Sequence, residues 1–162
     1  MQTPRETIYN TLFNLGAGIL VNGKPAFITT SRRWKNYSQV PPEQQPAFFQ
    51  VQRREMPRSE KTQGVSGIGV PAKWELHVDW IVYVNTGGDQ NVIPSSFLNP
   101  IVDALEAILP NQRNTGPGNP SAQTLGLRGV IDARIIDTEI LLDEDVTGEQ
   151  ALALIPVRIL AN

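Results

Sequence analysis

The sequence predicts an α+β domain: a mostly antiparallel sheet with two helices packed on one face, in the order α-β-β-β-α-β-β. Three observations carry that prediction. Residues 73–88, KWELHVDWIVYVNTGG, put Trp74, Leu76, Val78, Trp80, Val82 and Val84 on alternate positions. That is the period of a strand with one face on a core. Only two segments repeat apolar residues at helical spacing, one near the start and one after residue 98. The remaining ordered stretches follow one another as strands, without the βαβα alternation of a doubly wound parallel sheet.

The start of the first helix is well signalled. Thr3, Pro4, Arg5 and Glu6 spell a capping box with proline at the first helical position. Ile8, Leu12 and Leu15 form its apolar stripe, helped by Tyr9 and Phe13, and Gly16 and Gly18 read as stop signals. Residues 8–21, IYNTLFNLGAGILV, are not the apolar core of a secretion signal, because Asn10, Thr11 and Asn14 interrupt them and no small-residue cleavage pattern follows. No segment is long and apolar enough to span a bilayer, so a soluble chain is expected.

Residues 26–34 and 47–54 are β-rich and are separated by KNYSQVPPEQQP, whose prolines forbid a continuous element. A hairpin with a long tip is expected there. The third strand is the alternating one, closed by Asn85-Thr86-Gly87-Gly88. The second helix is expected from Asn99 as cap, with Pro100 in its first turn and Ile101, Leu105 and Ile108 on its buried stripe, until Pro110 ends it. Two strands, 130–142 and 151–160, close the chain as an antiparallel pair joined by the acidic DEDVTGEQ. Residues 56–72 and 111–124 are rich in Gly, Pro and small polar residues. They are expected to be long loops with little part in the core, and are candidates for contact surfaces, because loops of that length are usually functional or disordered.

Composition bounds the chemistry. With 162 residues, 40% of them hydrophobic, residues 1–162 are read as one domain. A net charge of −2 gives no global attraction for nucleic acid or an anionic membrane, and the absence of cysteine excludes disulfides and thiolate metal sites. Glu75, His77 and Asp79 stand in a row on the other face of the alternating strand. His77 is the only histidine, so a metal or acid/base site lacks partners and a solvated strand face is the expectation. The turn from Asp143 echoes a calcium loop, but its twelfth position is Leu154 where a bidentate acid is required. GVSGIGV is followed by Pro71 and a strand, with no helix N-terminus to hold a phosphate. No cofactor and no enzymatic activity are expected.

Charge is unevenly distributed. Between Ser31 and Lys61 there are seven basic and three acidic residues; between Val130 and Gln150 there are seven acidic residues and only Arg134. Opposed regions of this kind suit heterologous contact between copies. Arg53, Arg54, Arg58 and Lys61 on the basic side, and Asp143, Glu144 and Asp145 on the acidic side, are the candidate interface residues. Trp34 and Tyr37, interleaved with the basic residues, also suit a nucleic acid, although no recognisable binding module surrounds them.

The succession RETIYNTLFNL, TTSRRWKNYSQVPPEQQPAFF, PAKWELHVDWIVYVNTG, SSFLNPIVDALEAILP, TLGLRG and GEQALALIPVRIL resembles the tail terminator, or tail completion, proteins of tailed phages and prophages. The resemblance spans nearly the whole chain, rests on structural stretches without a catalytic signature, and carries over no functional residue individually. It implies an α+β fold with helices against a sheet, and a hexameric ring at the head-proximal end of the tail tube. Such a ring stops tube polymerisation and joins tail to neck. The implied partners are further copies of the chain, the tail tube protein and a neck or head-completion protein, with DNA passing transiently through the lumen and no membrane. The implied place is the virion, assembled in the host cytoplasm. Another neck component, such as a head completion or stopper protein, is the alternative.

Overall fold

A computed structural model of the chain describes residues 3–58, 73–89, 91–111, 119–142 and 149–162. Its elements are α1 (Arg5–Ala17), β1 (Leu20–Val21), β2 (Lys24–Pro25), β3 (Thr29–Ser31), β4 (Ala47–Arg58), β5 (Lys73–Asn85), α2 (Pro94–Glu106), β6 (Val130–Ile135), β7 (Glu139–Leu142) and β8 (Gln150–Ala161). The main sheet runs β3-β4-β5-β8-β6, with β7 beside β6 on the same edge of β8. Every pairing in it is antiparallel except β3 with β4. The fold is α+β, with both helices on one face.

The two faces of the sheet follow from strand parity. On β5 the even positions from Leu76 to Val84 point into the main core, and on β8 the odd positions Ala151, Ala153, Ile155, Val157, Ile159 and Ala161 join them. Ile8 and Leu12 of α1, and Leu98, Ile101, Val102 and Leu105 of α2, pack on this inner face. Alanines at 151, 153 and 161 leave room for the helices to approach the sheet. Phe48 is the aromatic hub of the layer, with ring centroids 5.0 Å from Phe27, 5.7 Å from Trp80 and 6.0 Å from Phe13.

The expected capping box of α1 does not form. Pro4 is the N-cap and makes no side-chain cap, while the Thr3 hydroxyl donates to the Arg128 carbonyl. Satisfying a carbonyl of the distant turn before β6 ties the N-terminus to the sheet edge instead. Gly16 does not stop the helix; it lies inside α1 against Phe48 and Trp80. Gly18 does cap it, its N–H donating to the Asn14 carbonyl at 3.1 Å.

The expected hairpin between residues 26–34 and 47–54 is also absent. β3 pairs with β4 in parallel, Thr29 opposite Ala47 and Ser31 opposite Phe49. Parallel neighbours need a long crossover, and residues 32–46 supply it through two short 3-10 turns, Tyr37–Gln39 and Pro42–Gln44. The true hairpin is shorter and earlier. β1 and β2 turn at Asn22-Gly23, whose φ values of 52° and 75° are those of a two-residue type I′ turn.

α2 starts five residues before Asn99, with Pro94 in its first turn and Ile93 as N-cap, and carries Pro100 inside it. Pro100 is tolerated on the solvent side, where the lost backbone bond leaves its acceptor open to water. The expected single strand 130–142 is two strands, because residues 136–138 leave the ladder between them. Both halves keep the antiparallel pairing with β8. Of the two expected loops, Met56–Arg58 belongs to β4 and residues 59–72 lie outside the described residues. Of 111–124, Asn111 bridges to Ile135, residues 112–118 lie outside the described residues, and Ala122 packs against the core.

Candidate interface on the outer face of the sheet

Neither helix covers the outer face, and its chemistry changes along the strands. At one end β5 contributes Glu75, His77 and Asp79, β4 contributes Arg53, Arg54 and Arg58, β8 contributes Arg158, and β6 contributes Asp132 and Arg134. At the other end the same face becomes apolar through Ala47, Phe49, Ile81, Tyr83, Leu152 and Leu154. The crossover arm folds over this half and buries Val40 against it.

The charged half is a lattice of ion pairs. Gln52 pairs with Val78 and Arg54 with His77, so Arg53 is the extra residue of a β-bulge, and its guanidinium reaches Asp79. Arg58 Nε lies 2.6 Å from one carboxylate oxygen of Glu75, and His77 Nε2 lies 2.8 Å from the other. Arg134 grips Asp132 with two bonds of 2.5 and 2.6 Å, which hold the Asp132 carboxyl below its usual range. The expected solvated row is thus only partly solvated. Glu75 is 5% exposed, because Arg58 and His77 lie against its carboxylate and strands flank it on both sides.

Of the candidate interface residues, the structure brings Arg53, Arg54 and Arg58 onto one face. Arg53 and Arg58 are engaged within the chain, whereas Arg54 has no ion pair among the described residues. Lys61, Asp143, Glu144 and Asp145 lie outside the described residues. Replacing Arg58 by Ala leaves the buried Glu75 carboxylate with His77 alone. It is expected to destabilise the fold by about 1–2 kcal/mol, less than a fully buried pair because the guanidinium is 60% exposed. Arg54→Ala is expected to stay within about 0.5 kcal/mol. Urea midpoints at unchanged m-value measure both, and equal losses at the two sites would overturn the distinction.

The apolar half ends in a pocket of about 380 Å³ lined by Trp34, Asn36, Tyr37, Tyr83, Leu141, Gln150, Ala151 and Leu152. Its walls are held by hydrogen bonds. Trp34 Nε1 donates to the Tyr83 hydroxyl at 3.0 Å, and that hydroxyl donates to the Lys35 carbonyl at 3.0 Å. Asn85 Nδ2 donates to the Tyr37 hydroxyl at 2.9 Å, and the Tyr37 and Tyr83 rings meet edge to face at 5.2 Å. Burial pushes the Tyr83 phenol up from its usual value, so it remains a neutral donor. Asn36 and Gln39 close a reciprocal cap around the first 3-10 turn, so the arm holds Trp34 and Tyr37 in place.

Sequence reasoning missed this pocket. Its signal was the odd face of β5, which passes from Glu75, His77 and Asp79 to Ile81 and Tyr83, together with the aromatic pair Trp34 and Tyr37 inside a polar stretch. Among the described residues no group of three or more His, Cys, Asp or Glu side chains is placed to hold a metal ion, and no helix is long and apolar enough to cross a membrane. The outer face thus combines a charged lattice, an aromatic pocket and, on the pocket's lining, half-exposed Trp34 and Leu141. Compared with protein-family models and with curated proteins, the chain matches none.

Proposed function

We propose that the chain is a structural virion subunit, a tail terminator that closes a hexameric ring on the head-proximal end of a phage tail tube and joins it to the neck. The observation that carries this reading is the two-layer architecture with unlike faces. One face is covered by α1 and α2; no helix covers the other, which is charged at one end and aromatic at the other, beneath the crossover arm. A subunit of this shape can meet unlike partners through unlike surfaces, as a piece between tube and neck must. The α+β fold with helices against a sheet is the one the resemblance implies, and the reading invokes no catalysis.

Mechanism is then geometry and stoichiometry. Each copy binds the next through two different patches, the rotation closes the ring, and the closed ring leaves no site for another layer of tube. Mass measurement on dissected tails, in virions carrying the chain, tests this directly. Six copies at a single axial level are expected. Copies scattered along the tube would make the chain a tube or sheath component, and a twelve-fold ring would make it an adaptor of the neck.

A further inference from the structure

We infer that the pocket on the outer sheet face receives the exposed apolar stripe of α2 from a neighbouring copy, an inference that rests on the proposed ring. The stripe consists of Ile93 at the N-cap and of Phe97 and Pro100 within the helix, spaced i, i+4 and i+7 and exposed alongside its buried residues. Ile93 is 67% exposed and Phe97 49% exposed. The apolar surface of α2 is wider than the part this chain covers: Leu98, Ile101, Val102 and Leu105 meet its own core, whereas Ile93 and Phe97 stay exposed beside them. Helix-in-groove contacts are read from anchors at this spacing.

Knob and hole sit on opposite layers of the fold, so they cannot meet within one copy. A contact between them is head-to-tail, the class that closes into a ring or runs on as a filament. Their charges match as well. Arg33 and Lys35 are exposed beside Trp34 and have no acidic partner among the described residues, while Asp89 and Asp103 are exposed near the stripe. From residue 74 to residue 111 the sequence has no lysine or arginine at all. The β7–β8 rim of the pocket instead carries Glu139 and Glu149. The helix is therefore oriented with its acids toward Arg33 and Lys35, and the contact weakens as salt rises.

The chain contains no cysteine, which makes cross-linking a clean test. The double variant Phe97→Cys with Leu141→Cys, oxidised at high protein concentration, should give a covalent ladder of copies ending at the closed ring. Mixing the two single variants should give a cross-linked dimer and nothing larger, because each carries one reactive half. Phe97→Asp, an exposed change that leaves the core intact, should weaken self-association about 30-fold or more, as loss of a central anchor does. Rings that assemble without cross-linking, cross-linking of Phe97→Cys with itself, or no cross-link at any concentration would each overturn the contact. A ladder that runs past six copies into a filament would retain the contact and overturn the terminator reading.

Discussion

Replacing Trp80 by Ala is expected to destabilise the fold by about 3–5 kcal/mol, the largest single loss available on β5. Trp80 is fully buried at the centre of the sheet, against Phe48 and beneath α1. Its truncation opens a cavity that β-strand neighbours on both sides prevent from collapsing. A second cost is polar. Trp80 Nε1 donates to Gln50 Oε1 at 3.1 Å, and Gln50 Nε2 donates to the Tyr9 carbonyl at 2.8 Å, so one buried chain of hydrogen bonds runs from β5 through β4 to α1. Removing the indole orphans the Gln50 oxygen. Trp80→Phe keeps most of the packing and isolates that polar cost at about 1–3 kcal/mol. Against a total stability of about 5–15 kcal/mol, the alanine variant should lose a large share of its folded population at 37 °C. Urea unfolding of both variants checks this. A loss below about 1 kcal/mol for Trp80→Ala would mean the centre of the inner core is not where the structure puts it.

Gly16→Val is expected to cost about 1–3 kcal/mol through overpacking, despite sitting in a helix interior where glycine is normally the poorer choice. A Cβ at residue 16 would stand 2.6 Å from Phe48 Cζ and 3.1 Å from Trp80 Cε2 and Cζ2. Those atoms belong to buried rings, and Phe48 is wedged among Phe13, Phe27 and Trp80. Even Gly16→Ala, which gains about 1 kcal/mol of helix propensity, should be net destabilising for that reason. Shortening the opposing ring separates the two effects. In a Gly16→Ala, Phe48→Leu double variant the losses should fall short of the sum of the single ones, since leucine vacates the space the new methyl needs. Strict additivity would show that α1 and β4 are not in contact at this point.

Most elements were legible in the chain. Alternation on β5 identified that central strand, because a strand buried on one face must repeat with period two, and the expected strand 151–160 matches β8 within a residue. The apolar stripe of α1 was legible for the same kind of reason. The boundaries of α2 were not: Asn99 and Pro100 imitate a helix start, and only packing of Leu98 against the sheet shows that the helix is already running. The pairing of β3 was misread because a proline-rich stretch between two β-rich runs looks like a hairpin tip. Tyr37 and Val40 within it are instead drawn onto the apolar half of the outer face.

By itself the sequence determined the period of each long element, and hence which side chains share a face: Glu75, His77 and Asp79 on one side of β5, Trp74, Leu76 and Trp80 on the other. That information is local, carried by backbone geometry over a few residues. What those faces meet was decided only by tertiary structure. Strand order places Glu75 beneath Arg58 and beside His77, turning an expected wet carboxylate into a buried one, and the crossover arm brings Trp34 and Tyr37 to Tyr83 across about fifty residues of chain. Contacts between residues so far apart depend on how whole elements stack, and a periodicity of two or of 3.6 contains no term for a partner in another element.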